Sequence, residues 1–452
     1  MSVIHAACAL TPQGWRNDVR LTIEAGRFAR VEAGVAPSPD CERCAIALPG
    51  MTNVHSHAFQ RGMAGRAEVR GPSPDSFWTW RDWMYRFALT MTPDQVEAVA
   101  SQLYVEMLEA GFTRVGEFHY LHHDRDGSPY GSIAEMATRI AAAAGETGIG
   151  LTLLPVFYAH SNFGGAPPTA GQRRFISDID GFARLLEGCR EAVKNLHGAN
   201  IGVAPHSLRA VAPRELAAVC ELAGESPIHI HSAEQMREVE DCLAWSGARP
   251  VEWLLDNAGV DARWCLIHAI HMSDRETEGL AKARAVAGLC PVTEANLGDG
   301  IFNARAFIDH GGRFGIGSDS NVRIGVADEL SQLEYAQRLF HQARNLLAVA
   351  GGSTGRALFD AAVSGGAAAL QADSGGLAPG APGNLVTLDA THPGLAGCAG
   401  DHLLDAWIFG AAGAAIDGVW VNGRKRVERG KHHSRDRIAS RFRAVMNKLV
   451  DI

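Results

Sequence analysis

From residue 45 to about residue 350, short apolar runs alternate with longer stretches whose apolar positions recur at helical spacing. The strand-like runs cover 45–54, 112–118, 149–158, 200–206, 227–231, 264–268, 286–290 and 314–318. Between them, 93–110, 132–145, 181–195, 213–224, 273–285 and 327–350 carry the 3.6-residue period of amphipathic helices. A βαβα order calls for a parallel sheet covered by helices. Eight such units predict an α/β chain whose middle is a (β/α)8 barrel of the TIM type. A doubly wound open sheet would place Gly-x-Gly-x-x-Gly after its first strand, and 55–60 holds no such run.

The pattern changes at both ends. Residues 1–44 and 376–430 are β-rich with Gly turns, as in Val19 to Ile23 and Val419 to Gly423. These two stretches predict a small β-sandwich domain built from both termini. The barrel then spans 45–375, and a basic helix is expected over 431–452. Residues 65–92 read as a long loop rich in aromatics, among them Phe77, Trp78, Trp80, Trp83 and Tyr85. A loop of that length and composition is expected to order as a lid or a pocket wall.

Composition narrows the function classes. With 46% hydrophobic and 20% charged residues, the 452-residue chain is ordinary for a soluble globular protein. A net charge of −8 gives no attraction for nucleic acid or an anionic membrane. No apolar run approaches the roughly 20 residues of a membrane span, and the first residues lack the basic region of a signal peptide. Nine Cys are scattered, an odd number. Cys41 and Cys44 have no second pair at zinc-ribbon spacing, while Cys265 and Cys290 sit in apolar runs and read as core. The expected compartment is the reducing cytoplasm.

Candidate chemistry gathers at the strand ends, where a barrel of this kind carries its active site. The first strand ends in His55-Ser56-His57, and residues at i and i+2 of a strand share a face. With 19 His in the chain, chance supplies about 0.8 such pairs, so the other strand ends decide. They read Glu117-Phe118-His119-Tyr120, His206-Ser207-Leu208-Arg209, His229-Ile230-His231-Ser232-Ala233-Glu234, His268 with His271 beyond, and Ser318-Asp319-Ser320. Imidazoles and a carboxylate converging on the mouth of one barrel point to a metal site.

This set resembles the amidohydrolase superfamily: His-x-His after strand one, His after strands five and six, and Asp after strand eight. The resemblance covers nearly the whole chain, including the split β-rich domain. It implies one divalent ion per chain, held by His55, His57, His231 and Asp319, since no Lys ends strand four to bridge a second ion. Zinc suits those ligands best, and Fe2+ suits them as well. Of the two strand-five histidines, His231 lies nearer the strand end and opens the His-x-x-Glu of the deaminases, so His229 is expected to pack. The chemistry implied is attack of hydroxide, made available by the ion, on an sp² carbon bearing nitrogen. Asp319 would accept the water's proton, Glu234 would pass a proton to the departing nitrogen, and His268 would stabilise the tetrahedral intermediate.

Further segments sharpen the resemblance within the superfamily. They are 53–61, 75–81, 117–124, 206–211, 229–235, Thr293-Glu-Ala-Asn-Leu-Gly-Asp-Gly300 and 315–320. They are similar to the branch that hydrolyses N-formimidoyl-L-glutamate to N-formyl-L-glutamate and ammonia in histidine degradation. The substrate-holding residues that this implies are Gln60, Arg81, Tyr120, His206 and Arg209. Guanidinium groups suit a small dicarboxylate, which they bind bidentately, and would not suit a neutral base. Asn321 stands where that branch often has His, at a place expected to touch substrate placement. Partners beyond the small molecule are not called for, and a homodimer is compatible with the chain. The competing expectations are a superfamily deaminase of guanine or a related aromatic base, and a catalytically silent barrel serving as a scaffold.

Overall fold

Pro49-Gly50 divides the run expected at 45–54 into two strands with different partners. Glu42–Pro49 runs parallel to Ser2–Thr11 and antiparallel to Leu385–Leu388. Met51–Ser56 instead pairs with Phe112–His119 and opens the other sheet. A side chain at residue 50 would overlap Thr113, so only Gly lets the chain cross here. The passage between the two units therefore falls at this dipeptide rather than at residue 45. The computed structural model describes residues 1–72, 74–373 and 376–449; Ser73 of the aromatic stretch, Ser374 and Gly375 at the barrel's expected end and Val450–Ile452 of the expected final helix lie outside the described residues.

The barrel strands are Met51–Ser56, Phe112–His119, Gly150–Phe157, the broken pair Asn200–Ile201 and Ala204–Pro205, Ile228–Ser232, Trp264–His268, Val286–Leu289 and Arg313–Ile316. All neighbours are parallel. Bridges from Val203 to Ile228 and from Ser207 to His231 join the fourth strand to the fifth, and Ile316 pairs with Asn53, so the ring closes. Its residues are buried along whole strands, as in Gly150–Phe157, because helices cover the outside and side chains fill the inside. The helices start where local chemistry starts them. Thr92 caps Pro93–Glu109 and Ser273 caps Asp274–Lys282, each in a reciprocal capping box.

The strands from the two termini form one eight-stranded mixed sheet, with Glu42–Pro49 between Leu385–Leu388 and Ser2–Thr11. Ile4, Val19, Leu21, Phe28, Leu385 and Trp420 make its apolar cluster. The final helix, Arg435–Met446, lies on the barrel's flank. There Ile438 is buried and Arg441 donates to Ser101 Oγ at 2.8 Å.

The aromatic stretch differs from the expected loop. It contains a helix, Phe77–Ala88, with Ser76 as N-cap and Thr79 completing the capping box. Phe77, Met84, Phe87 and Ala88 bury one face. Aromatic residues have modest helix propensity alone, and tertiary burial overrides it here. Its C-terminal end is tied down by Arg174, which is fully buried. Arg174 donates to the carbonyls of Ala88 at 2.6 Å, Met91 at 2.9 Å and His123 at 2.7 Å. Replacing it by Met leaves buried carbonyls without donors, each costing about 1–3 kcal/mol. Arg174→Met is therefore expected to lose at least about 3 kcal/mol of unfolding free energy, read by denaturant titration. A loss below about 0.5 kcal/mol, the scale of ordinary surface changes, would mean that other donors replace the guanidinium.

Candidate active site

His55 and His57 leave the first strand on its inner face, and both are buried. His231 leaves the fifth strand and Asp319 follows the eighth. Asp319 Oδ1 lies 3.3 Å from Nε2 of His55 and 3.3 Å from Nε2 of His57. His231 Nε2 lies 3.1 Å from His55 Nε2. His57 Nδ1 donates to the Phe118 carbonyl at 2.9 Å, and His231 Nδ1 donates to the His206 carbonyl at 3.1 Å. A carbonyl only accepts, so both rings carry their proton on Nδ1 and present a bare lone pair from Nε2.

Burial holds His55 down to about 3 and depresses His57 and His231, so all three imidazoles are neutral. Burial would raise Asp319, but the His55 hydrogen bond and the neighbouring imidazoles outweigh it and keep the carboxylate ionised. Lone pairs and an anion converging in a buried space repel one another unless a cation lies between them. The donor set thus fits a divalent metal ion, and the carbonyls orient its imidazoles as metal-bound histidines are usually oriented. His229 faces away, its Nε2 2.7 Å from the Ala369 carbonyl.

Glu234 and His268 stand beside this cluster. Glu234 Oε1 is 3.7 Å from His268 Nε2, which is 3.8 Å from Asp319 Oδ2. Burial raises the Glu234 carboxyl to about 7, against the pull of His268 and Arg209. Burial alone would lower His268, but the charges of Glu234 and Asp319 and the hydrogen bond it donates to Glu294 lift it to about 10. Several of these residues, or their neighbours, adopt left-handed backbone: φ is 51° at Ala233, 68° at His268, 44° at Asp319 and 57° at Asn321. Such strain in non-glycine residues clusters where side chains must be aimed. Cys290, expected as plain core, also reaches this place, its Sγ grouped with donor atoms of His268 and Asp319 within 4.8 Å.

Above lies a pocket lined by His57, Gln60, Arg81, Tyr120, His206, Arg209 and residues of the aromatic helix. Each residue expected to hold substrate thus faces one space with the donor cluster at its floor. Gln60 donates to Tyr120 Oη at 2.8 Å. Arg81 lies over the Trp78 ring at 4.5 Å from its centre, and its Nε has no partner among the described residues. Arg209 is buried, 3.6 Å from Glu234 and 3.8 Å from Glu238, also with an unpartnered Nε. His206 packs on Tyr158, ring centres 4.5 Å apart.

Tyr158 and Gln172 were not singled out in the sequence, whereas Tyr85 belongs to the aromatic stretch expected as a lid or pocket wall. Gln172 donates to Tyr158 Oη at 2.8 Å, and both tyrosines line the cavity. Tyr158 follows the third strand, so the strand-end rule could have found it. Asn321 does not line the pocket. It lies fully buried beneath the metal cluster. From there it donates to the carbonyls of His57 at 3.1 Å and Asp319 at 2.8 Å and to Ser56 Oγ at 3.2 Å. Asn tolerates the left-handed conformation that this position requires.

Comparison with known proteins adds the family context. Residues 46–426 match the amidohydrolase family, and residues 1–45 match the N-terminal domain of the formimidoylglutamate deiminase HutF. The formimidoylglutamate deiminase of Pseudomonas aeruginosa is 49% identical over 100% of both chains. The 8-oxoguanine deaminase of the same organism is 26% identical over 95% of this chain and 94% of its own. Among solved structures, an amidohydrolase from Brucella melitensis superposes with a TM-score of 0.97 at 61% identity, covering 100% of both chains. An adenosine deaminase from Xanthomonas campestris with bound zinc superposes at 0.83 with 20% identity, over 100% of this chain and 98% of that one, a likeness of fold alone.

Proposed function

Since the chain belongs to the amidohydrolase family, in its formimidoylglutamate deiminase branch, we propose that its cavity binds N-formimidoyl-L-glutamate and that the residues at its floor carry out the hydrolysis to N-formyl-L-glutamate and ammonia. The observation that carries this is that His55, His57, His231 and Asp319 converge, buried, under a pocket with two arginines. His55, His57, His231 and Asp319 would hold one divalent ion, which when bound would supply Lewis acidity and bring the pKa of water toward neutrality. Three imidazoles and a carboxylate suit zinc first, and Fe2+ also.

The chain's own groups do the rest. Asp319 orients the attacking water and takes its proton. As the C–O bond forms at the formimino carbon, His268 Nε2 faces the developing charge. Glu234, close to neutral pKa, delivers a proton to the terminal nitrogen. The carbinol O–H proton then follows to the same nitrogen, the C=O bond forms as the C–N bond breaks, the electron pair of that C–N bond leaves with ammonia, and the proton held by Asp319 restores Glu234. Arg209 and Arg81 take the two carboxylates, with Gln60, Tyr120 and His206 completing the pocket. No helix among the described residues is long and apolar enough to cross a membrane. The described cysteines are all unpaired, which suits the cytoplasm.

Ammonia release from N-formimidoyl-L-glutamate, set against guanine, tests this function; preference for guanine would overturn it. Arg209 decides the substrate class. Removing one partner of a desolvated charge pair costs about 2–5 kcal/mol, or roughly 30- to 4,000-fold in kcat/KM. That loss is expected for Arg209→Met on formimidoylglutamate, with bound metal unchanged. A small formamidine without carboxylates should be a poor substrate that barely responds. Arg209 also faces Glu234, so equal loss on both substrates would assign it to Glu234 rather than to a carboxylate pocket.

A further inference from the structure

The segment Thr293–Gly300 lies beyond the metal ligands and the substrate pocket's arginines, yet its side chains reach three strand ends. Thr293 Oγ1 donates to the Ser318 carbonyl at 3.2 Å, beside Asp319. Asp299 accepts from the side chain of Gln235, which follows Glu234. Glu294 Oε1 lies 3.2 Å from His268 Nδ1 and accepts from the Cys290 amide at 2.9 Å. All three residues are buried.

The contact to His268 is the one that bears on chemistry. The ring's other nitrogen is 3.7 Å from Glu234 and 3.8 Å from Asp319, beyond hydrogen-bond distance. Among the described residues, Glu294 therefore makes the only hydrogen bond to the ring. The backbone beneath is left-handed, with φ of 68° at His268 and 49° at Ala269, so the main chain is bent to present this side chain. We propose that Glu294 is a positioning residue for the hydrolysis: it accepts a hydrogen bond from His268 Nδ1 and thereby aims Nε2 at the space between Glu234 and Asp319. This rests on the role given to His268 above. Glu294 touches neither substrate nor metal and acts only through the ring, in the way a buried carboxylate orients a catalytic imidazole.

The test compares the metal-loaded wild type with Glu294→Ala, Glu294→Gln, His268→Ala and the double variant Glu294→Ala/His268→Ala. Glu294→Ala should lower kcat about 10- to 100-fold, the usual cost of losing such a partner, with KM and metal content unchanged. Glu294→Gln should recover much of that loss. The Cys290 amide selects the glutamine's carbonyl oxygen for the shared site, and that oxygen still accepts from Nδ1. In the His268→Ala background, Glu294→Ala should cost nothing further, because a positioning residue has nothing left to position. An undiminished loss in that background would overturn the proposal, as would full activity of Glu294→Ala. If His268→Ala itself turned over like the wild type, the role given to His268 would fail, which is a separate outcome.

Discussion

Alanine at His55, His57, His231 or Asp319 is expected to remove bound metal and turnover together, down to the detection limit of the ammonia assay. The reason lies in the geometry of the cluster. Nε2 of His55 and His231 approach to 3.1 Å, and Asp319 Oδ1 sits 3.3 Å from both His55 and His57. His57 and His231 carry their protons on the carbonyl-bonded Nδ1, so their Nε2 lone pairs face the Asp319 carboxylate, and each donor is needed to neutralise and enclose the ion. Elemental analysis of the wild type should find about one divalent ion per chain. Two ions would overturn that count and direct attention to the second donor group, His268, Cys290 and Asp319. The fold should respond too. A ligand present at about 1,000 times its dissociation constant adds about 4 kcal/mol to stability. Chelated wild type should therefore melt lower than the zinc-loaded protein, and the alanine variants should lose that difference.

Glu234→Gln is expected to keep the metal and slow turnover about 10²- to 10⁴-fold, the worth of a general acid/base. The carboxylate lies 3.7 Å from His268 and 3.6 Å from Arg209, outside the ligand cluster, so its replacement leaves the donors in place. Burial lifts its pKa toward 7, which lets it both accept and return a proton near neutrality. A glutamine amide fills the same space and can do neither. The readouts are kcat and metal content on one preparation. Near wild-type turnover would place the proton transfer on another group, and Asp299, which lies nearby and is lifted to about 9 by burial and the Glu234 charge, would be examined first.

The barrel and the arrival of the candidate ligands at its mouth were legible because they obey local rules. A parallel strand buried on both faces reads as a continuous apolar run, and an intervening helix reads at its own period. His55 and His57 share a face through the two-residue repeat of a strand, and strand ends mark the mouth. Where the local rule failed, a tertiary contact had overridden it. Phe77–Ala88 folds as a helix because Arg174, distant in sequence, satisfies the carbonyls at its end. The crossing at Pro49-Gly50 depends on Thr113 from the next strand, which leaves no room for a side chain. Glu294 and Asn321 could not be assigned from the chain alone. Each acts across the barrel mouth, on His268 or on His57, through side-chain contacts that exist only once the strands are in register. By itself, then, the sequence determined which groups arrive at the mouth of the barrel, because strand periodicity is a property of neighbours along the chain. The tertiary structure alone decided how they are aimed, because the tautomers, the left-handed backbone and the buried ion pairs of Arg209 arise between residues far apart in it.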